Sequence, residues 1–230
     1  MLCSKCSAPV TPVVAFDIDG TLGDFHIHFI RFLERYINYE GNHCCGYDIY
    51  KGDSPFYVWA DAMYNIDYRT WQDIKLAYRQ GAQKRSMPII PGAVEAVHTA
   101  AREGCEIWFT TTRPYLRLDN IDPDTRFWLD KVLGVEDLYS GMIYDELKYD
   151  RFRELVDPQR VILIVEDLAE MYDAAAVIFG EDVPVIVDSI YNSEAQDAMM
   201  HRVSDMYALP GLIMQRANRW RMQHGDNIPS

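Results

Sequence analysis

Short apolar runs alternate along the chain with stretches of helical periodicity. Val13-Val14-Ala15-Phe16 is apolar, rich in β-branching and closed by Asp17, Asp19 and Gly20, the pattern of a buried strand that empties into a turn. Phe29, Leu33, Tyr36 and Ile37 then recur at helical spacing, with Arg31, Glu34 and Arg35 between them and Gly41 as a stop. From about Gly41 to Met87 the sequence is aromatic and polar, carrying Tyr57, Trp59, Tyr64, Tyr68, Trp71 and Tyr78 among others. Its period is that of helices, so residues 23–87 are predicted to form a mostly helical insertion. After Pro88 and Pro91-Gly92, Val94, Val97 and Ala101 predict an amphipathic helix ended by Gly104. Residues 105–110, 161–165 and 183–187 predict further strands, the last tolerating Pro184 near its start. One intervening helix opens at Lys148, and another carries Leu168, Met171, Tyr172 and Ala175 on one face and stops at Gly180. Beyond Tyr191 the pattern reads as helix through Met206, a break at Pro210-Gly211, and a basic helix from Leu212 to Met222. Strand and helix alternation of this kind predicts an α/β fold, a Rossmann-like parallel sheet covered on both faces. The core is expected in 10–22 and 88–205, with 206–230 as a C-terminal helical tail.

Composition narrows the partners. The 230 residues suffice for one α/β core plus a smaller module, and 49% of them are apolar. With 35 acidic residues against 22 basic ones the formal charge is -13, which opposes long polyanions and favours a small phosphorylated ligand over long nucleic acid. No stretch approaches the roughly 20 apolar residues of a spanning helix, and Met1 to Val14 lacks a signal-peptide core, so a cytoplasmic protein without membrane contact is expected. Five cysteines at irregular spacing fit reduced thiols. Cys3 and Cys6 form a CxxC, and His43, Cys44 and Cys45 lie together, so zinc bound by both segments is an alternative to free thiols.

Loops at the carboxyl ends of parallel strands converge on one crevice, which makes the polar residues after each apolar run candidates for a shared site. The first run delivers Asp17 and Asp19, the second Thr110, Thr111, Thr112 and Arg113, and the third Glu166 and Asp167, while Lys148 supplies a cation at a helix start. Acids clustered at neighbouring strand ends call for a divalent cation. Mg2+ fits oxygen ligands, and no His or Cys adjoins these acids to favour zinc. The cation, Lys148 and a threonine hydroxyl can neutralise a transferring phosphoryl group, leaving Asp17 as nucleophile and Asp19 as general acid and base. A calcium loop is excluded. Counted from Asp17, glycine stands at the fourth position instead of the sixth and His28 at the twelfth in place of Glu.

These residues resemble the motifs of the haloacid dehalogenase (HAD) superfamily of phosphotransferases. Phe16-Asp17-Ile18-Asp19-Gly20-Thr21-Leu22 is similar to its first motif, Trp108-Phe109-Thr110-Thr111-Thr112-Arg113-Pro114 to the second, Lys148 to the third and the acidic end of 161–167 to the fourth. The resemblance implies Asp17 as nucleophile, Asp19 as acid and base, and Mg2+ held by Asp17, the Asp19 carbonyl and Asp167, with Glu166 behind them. Counting back from Arg113 favours Thr111 as the phosphate-binding hydroxyl, and counting along the strand favours Thr110; Thr111 is taken. The insertion resembles the family's C1 cap, and with Thr112, Arg113 and the aromatics Phe56, Tyr57 and Trp59 as substrate contacts it is similar to 5'-deoxyribonucleotidase-like members. That implies a phosphomonoesterase acting on nucleoside monophosphates. A polynucleotide end-phosphatase, suggested by Lys84, Arg85 and the arginine-bearing tail, and a binding module without turnover are the alternatives.

Overall fold

The structure, a computed structural model, describes residues 11–38, 56–114, 118–189, 192 and 200–224. In chain order these form β1 (Val13–Asp17), α1 (Phe25–Tyr36), α2 (Phe56–Tyr64), α3 (Tyr68–Gln80), α4 (Ala93–Arg102), β2 (Glu106–Thr111), α5 (Ile121–Phe127), β3 (Gly141–Tyr144), α6 (Lys148–Leu155), β4 (Val161–Glu166), α7 (Ala169–Phe179), β5 (Pro184–Val187), β6 (Arg202–Val203) and α8 (Leu209–His224). The strands make one parallel sheet in the order β3-β2-β1-β4-β5-β6. Direction of travel through the sheet reverses at β1, and such switch points open a crevice at the carboxyl ends of the strands.

The pleat sorts β1 between two cores. Val14 and Phe16 face α4 and α8, whose Ala93, Ala96, Val97, Ala100, Leu209, Ile213 and Ala217 fill one side. Val13 and Ala15 face the other side, against Tyr149 and Phe152 of α6 and Ala175 of α7. All of these are buried, each large side chain contributing about 1.5–3 kcal/mol by leaving water. In register, Asp17 lies opposite Thr110 and Phe16 opposite Val165. The polar residues that end β1, β2 and β4 are therefore set side by side.

The insertion has a core of its own, where Phe29 and Leu33 of α1 meet Trp59 of α2 and Trp71, Ile74 and Tyr78 of α3. Asp24 and Asp67 cap α1 and α3, accepting from the amides of Ile27 and Thr70. Its two connections to the core are stitched together, since Asp24 N donates to Pro88 O at 2.8 Å and Ile90 N to Leu22 O at 2.9 Å. A 3-10 turn, Gln83–Ser86, leads the chain back toward the core.

Several elements depart from the pattern reading. β3 and β6 are edge strands of four and two residues, too short to carry a period. Arg202–Val203 therefore replaces part of the helix expected through Met206. Pro210 and Gly211 lie inside α8 and do not break it, because proline in a first turn lacks only an amide that has no helical partner there. α8 also packs into the sheet through Leu209, Ile213 and Ala217, so its basic residues decorate a core helix. On α4 the buried stripe is Ala93, Ala96, Val97 and Ala100, while Val94 is more than a third exposed. Among the described residues no helix is long and apolar enough to cross a membrane. Cys3, Cys6, His43, Cys44 and Cys45, and with them the zinc alternative, lie outside the described residues.

Candidate active site

Asp17 is the last residue of β1 and is almost wholly buried. Its Oδ1 accepts from Lys148 Nζ at 2.5 Å, and the same ammonium stands 2.6 Å from Glu166 Oε1. Lys148 can reach both because it is the first residue of α6, which packs under β1 and β4 through Tyr149 and Phe152. Tyr149 donates its hydroxyl to Glu166 as well. Burial by itself would lower the Lys148 ammonium, but Asp17 and Glu166 raise it well above the usual lysine range. Burial, followed by the charge of Glu166, pushes the Asp17 carboxyl up to about 7 in spite of Lys148. More positive charge beside a carboxylate raised in this way favours its ionised form.

The residues present fit such a charge. Asp17, Glu166 and Asp167, all buried, each bring a carboxylate oxygen within 4.8 Å of the others. Glu166 Oε2 is shielded from solvent and has no hydrogen-bond partner among the described residues, an arrangement costly for a carboxylate unless a cation is close. Oxygen-only donors suit a hard divalent ion.

Asp19 is held in a different way. The turn after β1 closes with Gly20 N donating to Gly23 O at 2.8 Å, and Gly20 adopts φ +95°, a left-handed conformation that glycine takes without strain. This directs Asp19 toward Arg113, whose Nε and Nη2 each reach it at 2.7 Å, and toward Lys84 Nζ at 2.5 Å. Burial would raise the Asp19 carboxyl, but Arg113 and Lys84 overcome it and hold the group well below the usual carboxylate range. Lys84 is brought down to about 7 by burial and by Arg113.

These groups share a cavity of about 220 Å³, lined by Asp17, Asp19, Thr111, Thr112, Arg113, Lys148 and Asp167 from the core. Strand alternation separates the two threonines: Thr111 lines the cavity, whereas Thr110 is buried away from it, its hydroxyl without a partner among the described residues. Tyr57 packs on Tyr68 and Trp71, and Trp59 is buried in the insertion's core, so neither is among the described residues lining the cavity. The side chain of Phe56 is outside the described residues. From the insertion come Phe25, His26, Phe29, Lys75, Tyr78, Arg79 and Lys84, which sequence reasoning did not bring to the site. A signal existed for two of them: Lys75 and Arg79 follow Trp71 at steps of four, beside the buried stripe of α3.

No family model matches the chain, and no curated protein matches it. Solved structures do. A HAD family hydrolase from Deinococcus radiodurans, with bound phosphate and sodium, superposes with a TM-score of 0.59 at 14% identity over 91% of this chain and 97% of its own. A putative beta-phosphoglucomutase from Thermotoga maritima gives 0.59 at 16% identity, covering 89% and 99%. CbbY from Rhodobacter sphaeroides, as a mutant in complex with xylulose-(1,5)bisphosphate, gives 0.56 at 12% identity, covering 86% and 95%. The chain thus has the α/β fold of the HAD hydrolases, with a buried acidic triad at the carboxyl ends of its central strands.

Proposed function

We propose that the chain is a Mg2+-dependent phosphomonoester hydrolase of the HAD superfamily, working through an aspartyl-phosphate on Asp17, with the insertion as its cap. The observation that supports this most is the buried Asp17 carboxylate, set between Lys148 and the Glu166-Asp167 pair at the floor of a cavity that Thr111 also lines. Asp17, Asp167 and the Asp19 carbonyl would hold the ion, which when bound supplies positive charge against the phosphoryl oxygens. Asp17 attacks phosphorus, forming the Asp17 O–P bond as the P–O bond to the alcohol breaks, and a proton from Asp19 goes to the departing oxygen. Asp19 then takes a proton from water, whose oxygen displaces Asp17 and releases phosphate. To carry that first proton Asp19 must come out of the grip of Arg113 and Lys84 seen here.

The cavity is smaller than the roughly 300 Å³ at which drug-sized pockets begin, which favours a small phosphorylated metabolite. A nucleoside monophosphate is the second reading, favoured by the rings of Phe25, Phe29 and Tyr78 in the cavity wall. Polynucleotide ends are disfavoured. Lys84 is engaged with Asp19, Arg85 with Asp124, Arg216 with the carbonyls of Ile162 and Val183, and Arg221 with Glu103. The test is phosphate release from a panel of phosphomonoesters with Mg2+, using the native protein and Asp17→Asn. Turnover abolished by the substitution, with a phosphate adduct on Asp17 trapped by acid quench, supports the reading; no turnover of any ester overturns it.

A further inference from the structure

Asp19 is gripped by Arg113 and Lys84, and both of these cations are tied to α5 on the side away from it. Arg113, almost wholly buried, gives Nε and Nη2 to the Asp19 carboxylate and Nη1 to Thr125 Oγ1 at 2.6 Å. Thr125 is buried as well. A hydroxyl has one proton to donate, and here it goes to Ile121 O at 2.6 Å, so Arg113 meets the oxygen's lone pairs. A planar guanidinium bonded along two of its edges cannot turn without breaking one set of bonds.

Lys84 is tied through its neighbour. Arg85, which follows it on the 3-10 turn, reaches Asp124 Oδ1 at 2.6 Å. Asp124 directly precedes Thr125 and is buried. Its Oδ2 accepts from Asn120 Nδ2 at 2.7 Å, and the same amide donates to Arg79 O at 2.6 Å. One short helix therefore fixes the arginine of the core and the segment of the insertion that carries Lys84. Neither Asp124 nor Thr125 is among the described residues lining the cavity, so their influence on the chemistry runs through the two cations.

The ties matter because Asp19 has to let go in order to carry a proton. A guanidinium bound to Asp19 alone would follow the carboxylate as it turns to the departing alcohol, whereas one bound also to Thr125 stays behind. We propose that Thr125 and Asp124 are positioning residues of the hydrolase: they hold Arg113 and Lys84 against α5, so that Asp19 can leave both cations and meet the alcohol oxygen. The proposal rests on the phosphomonoesterase reading, with Asp19 as its acid.

The experiment isolates the acid step. An alkyl phosphate needs a proton on its leaving oxygen and para-nitrophenyl phosphate does not, so the ratio of their single-turnover cleavage rates reports on Asp19. Thr125→Val keeps the shape of the side chain and removes the hydroxyl. On the full chain with Mg2+ it should lower the rate for glycerol 3-phosphate, relative to para-nitrophenyl phosphate, by about ten- to a hundredfold, the scale for misplacing a reacting group. Thr125→Ser restores the hydroxyl and should return the ratio to its native value. Arg85→Gln, at a partly exposed side chain, should lower the ratio severalfold, and it decides the matter if Thr125→Val does not fold. A second readout follows the guanidinium itself. In side-chain nitrogen NMR the Arg113 signals, recognised by their absence from Arg113→Lys, should be resolved in the native protein and broadened in Thr125→Val. A native chain that cleaves neither ester removes the hydrolase reading and the proposal with it. Turnover of both esters, with a ratio unchanged or raised in the variants or with Arg113 signals unaltered, overturns the proposal alone.

Discussion

Lys148 and Asp17, 131 positions apart, meet at 2.5 Å because α6 begins where β1 ends. The ammonium also spans to Glu166 at 2.6 Å, so one cation neutralises parts of two buried carboxylates and aims the nucleophile. Lys148→Met leaves Asp17 and Glu166 facing each other without it. The expected outcome is a fall in kcat on the order of 100- to 1000-fold, the scale for losing one preorganised charge at a phosphoryl group. Steady-state kinetics with a phosphomonoester reads it; a loss under about threefold would remove Lys148 from the chemistry.

The acidic triad predicts a metal response that can be seen without turnover. Mg2+ should stabilise the folded chain by about 2.7 kcal/mol at a hundredfold excess over Kd, and so raise its melting temperature, as any ligand of the folded state does. Asp167→Asn should abolish that rise. Glu166 is held by Lys148 and Tyr149, so Glu166→Gln is expected to weaken the rise without removing it. A full rise in Asp167→Asn, followed by differential scanning calorimetry, would place the ion elsewhere.

Side-chain packing in the insertion separates two roles that a sequence cannot. Trp59 is buried among Leu33, Trp71 and Ile74, and its truncation to alanine should cost about 3–5 kcal/mol in urea unfolding. KM, measured below the melting transition, is expected to move less than about threefold, since no contact with the ligand is lost. A tenfold rise in KM would return Trp59 to the substrate.

What the sequence made legible was what its strands delimit. Asp17, Thr111, Glu166 and Asp167 each follow an apolar run, and parallel pairing then forces their neighbourhood. Lys148 was legible for a similar reason, as the opening residue of a helix. The insertion's contribution was not. Helical periodicity marks Trp59 and Tyr57 as aromatic positions on helices but does not say whether a ring faces a ligand or another helix, and here both face helices. Nor does it reveal that Lys84 crosses to Asp19, a pairing 65 residues apart that depends on how the 3-10 turn re-enters the core. β3 and β6 were missed because edge strands of four and two residues show no alternation.

Two histidines make stability depend on pH. Burial, ahead of neighbouring charges, pushes both His26 and His28 from 6.5 down to about 4, and His28 is fixed between the Tyr78 and Ser86 hydroxyls. Between those values the unfolded chain binds protons that the folded chain does not, so stability falls as pH drops through the window. From about pH 7 to pH 5 each histidine should remove roughly 2 kcal/mol, the integral of that difference. Urea unfolding across this range reads the slope, and His28→Asn should flatten it. An unchanged slope in that variant would mean that His28 is protonated in the folded state.

Asp19 provides the sharpest test of mechanism, because an acid and a nucleophile fail differently. An alkyl phosphate leaves as an alkoxide and needs a proton as the bond breaks, whereas para-nitrophenolate leaves unaided. Asp19→Asn should therefore slow single-turnover cleavage of an alkyl ester by on the order of 100- to 10,000-fold, the range of general acid catalysis, and slow that of para-nitrophenyl phosphate far less. Asp19 is also the base for the second step, so the same variant should release a burst of para-nitrophenol equal to the enzyme present and then stall as the aspartyl-phosphate. Its clamp shapes the native pH profile in the same way: with Arg113 and Lys84 on the carboxylate, the proton must arrive after substrate has loosened them. Equal losses for both esters, with no burst, would show that Asp19 serves only to bind Arg113 and Lys84.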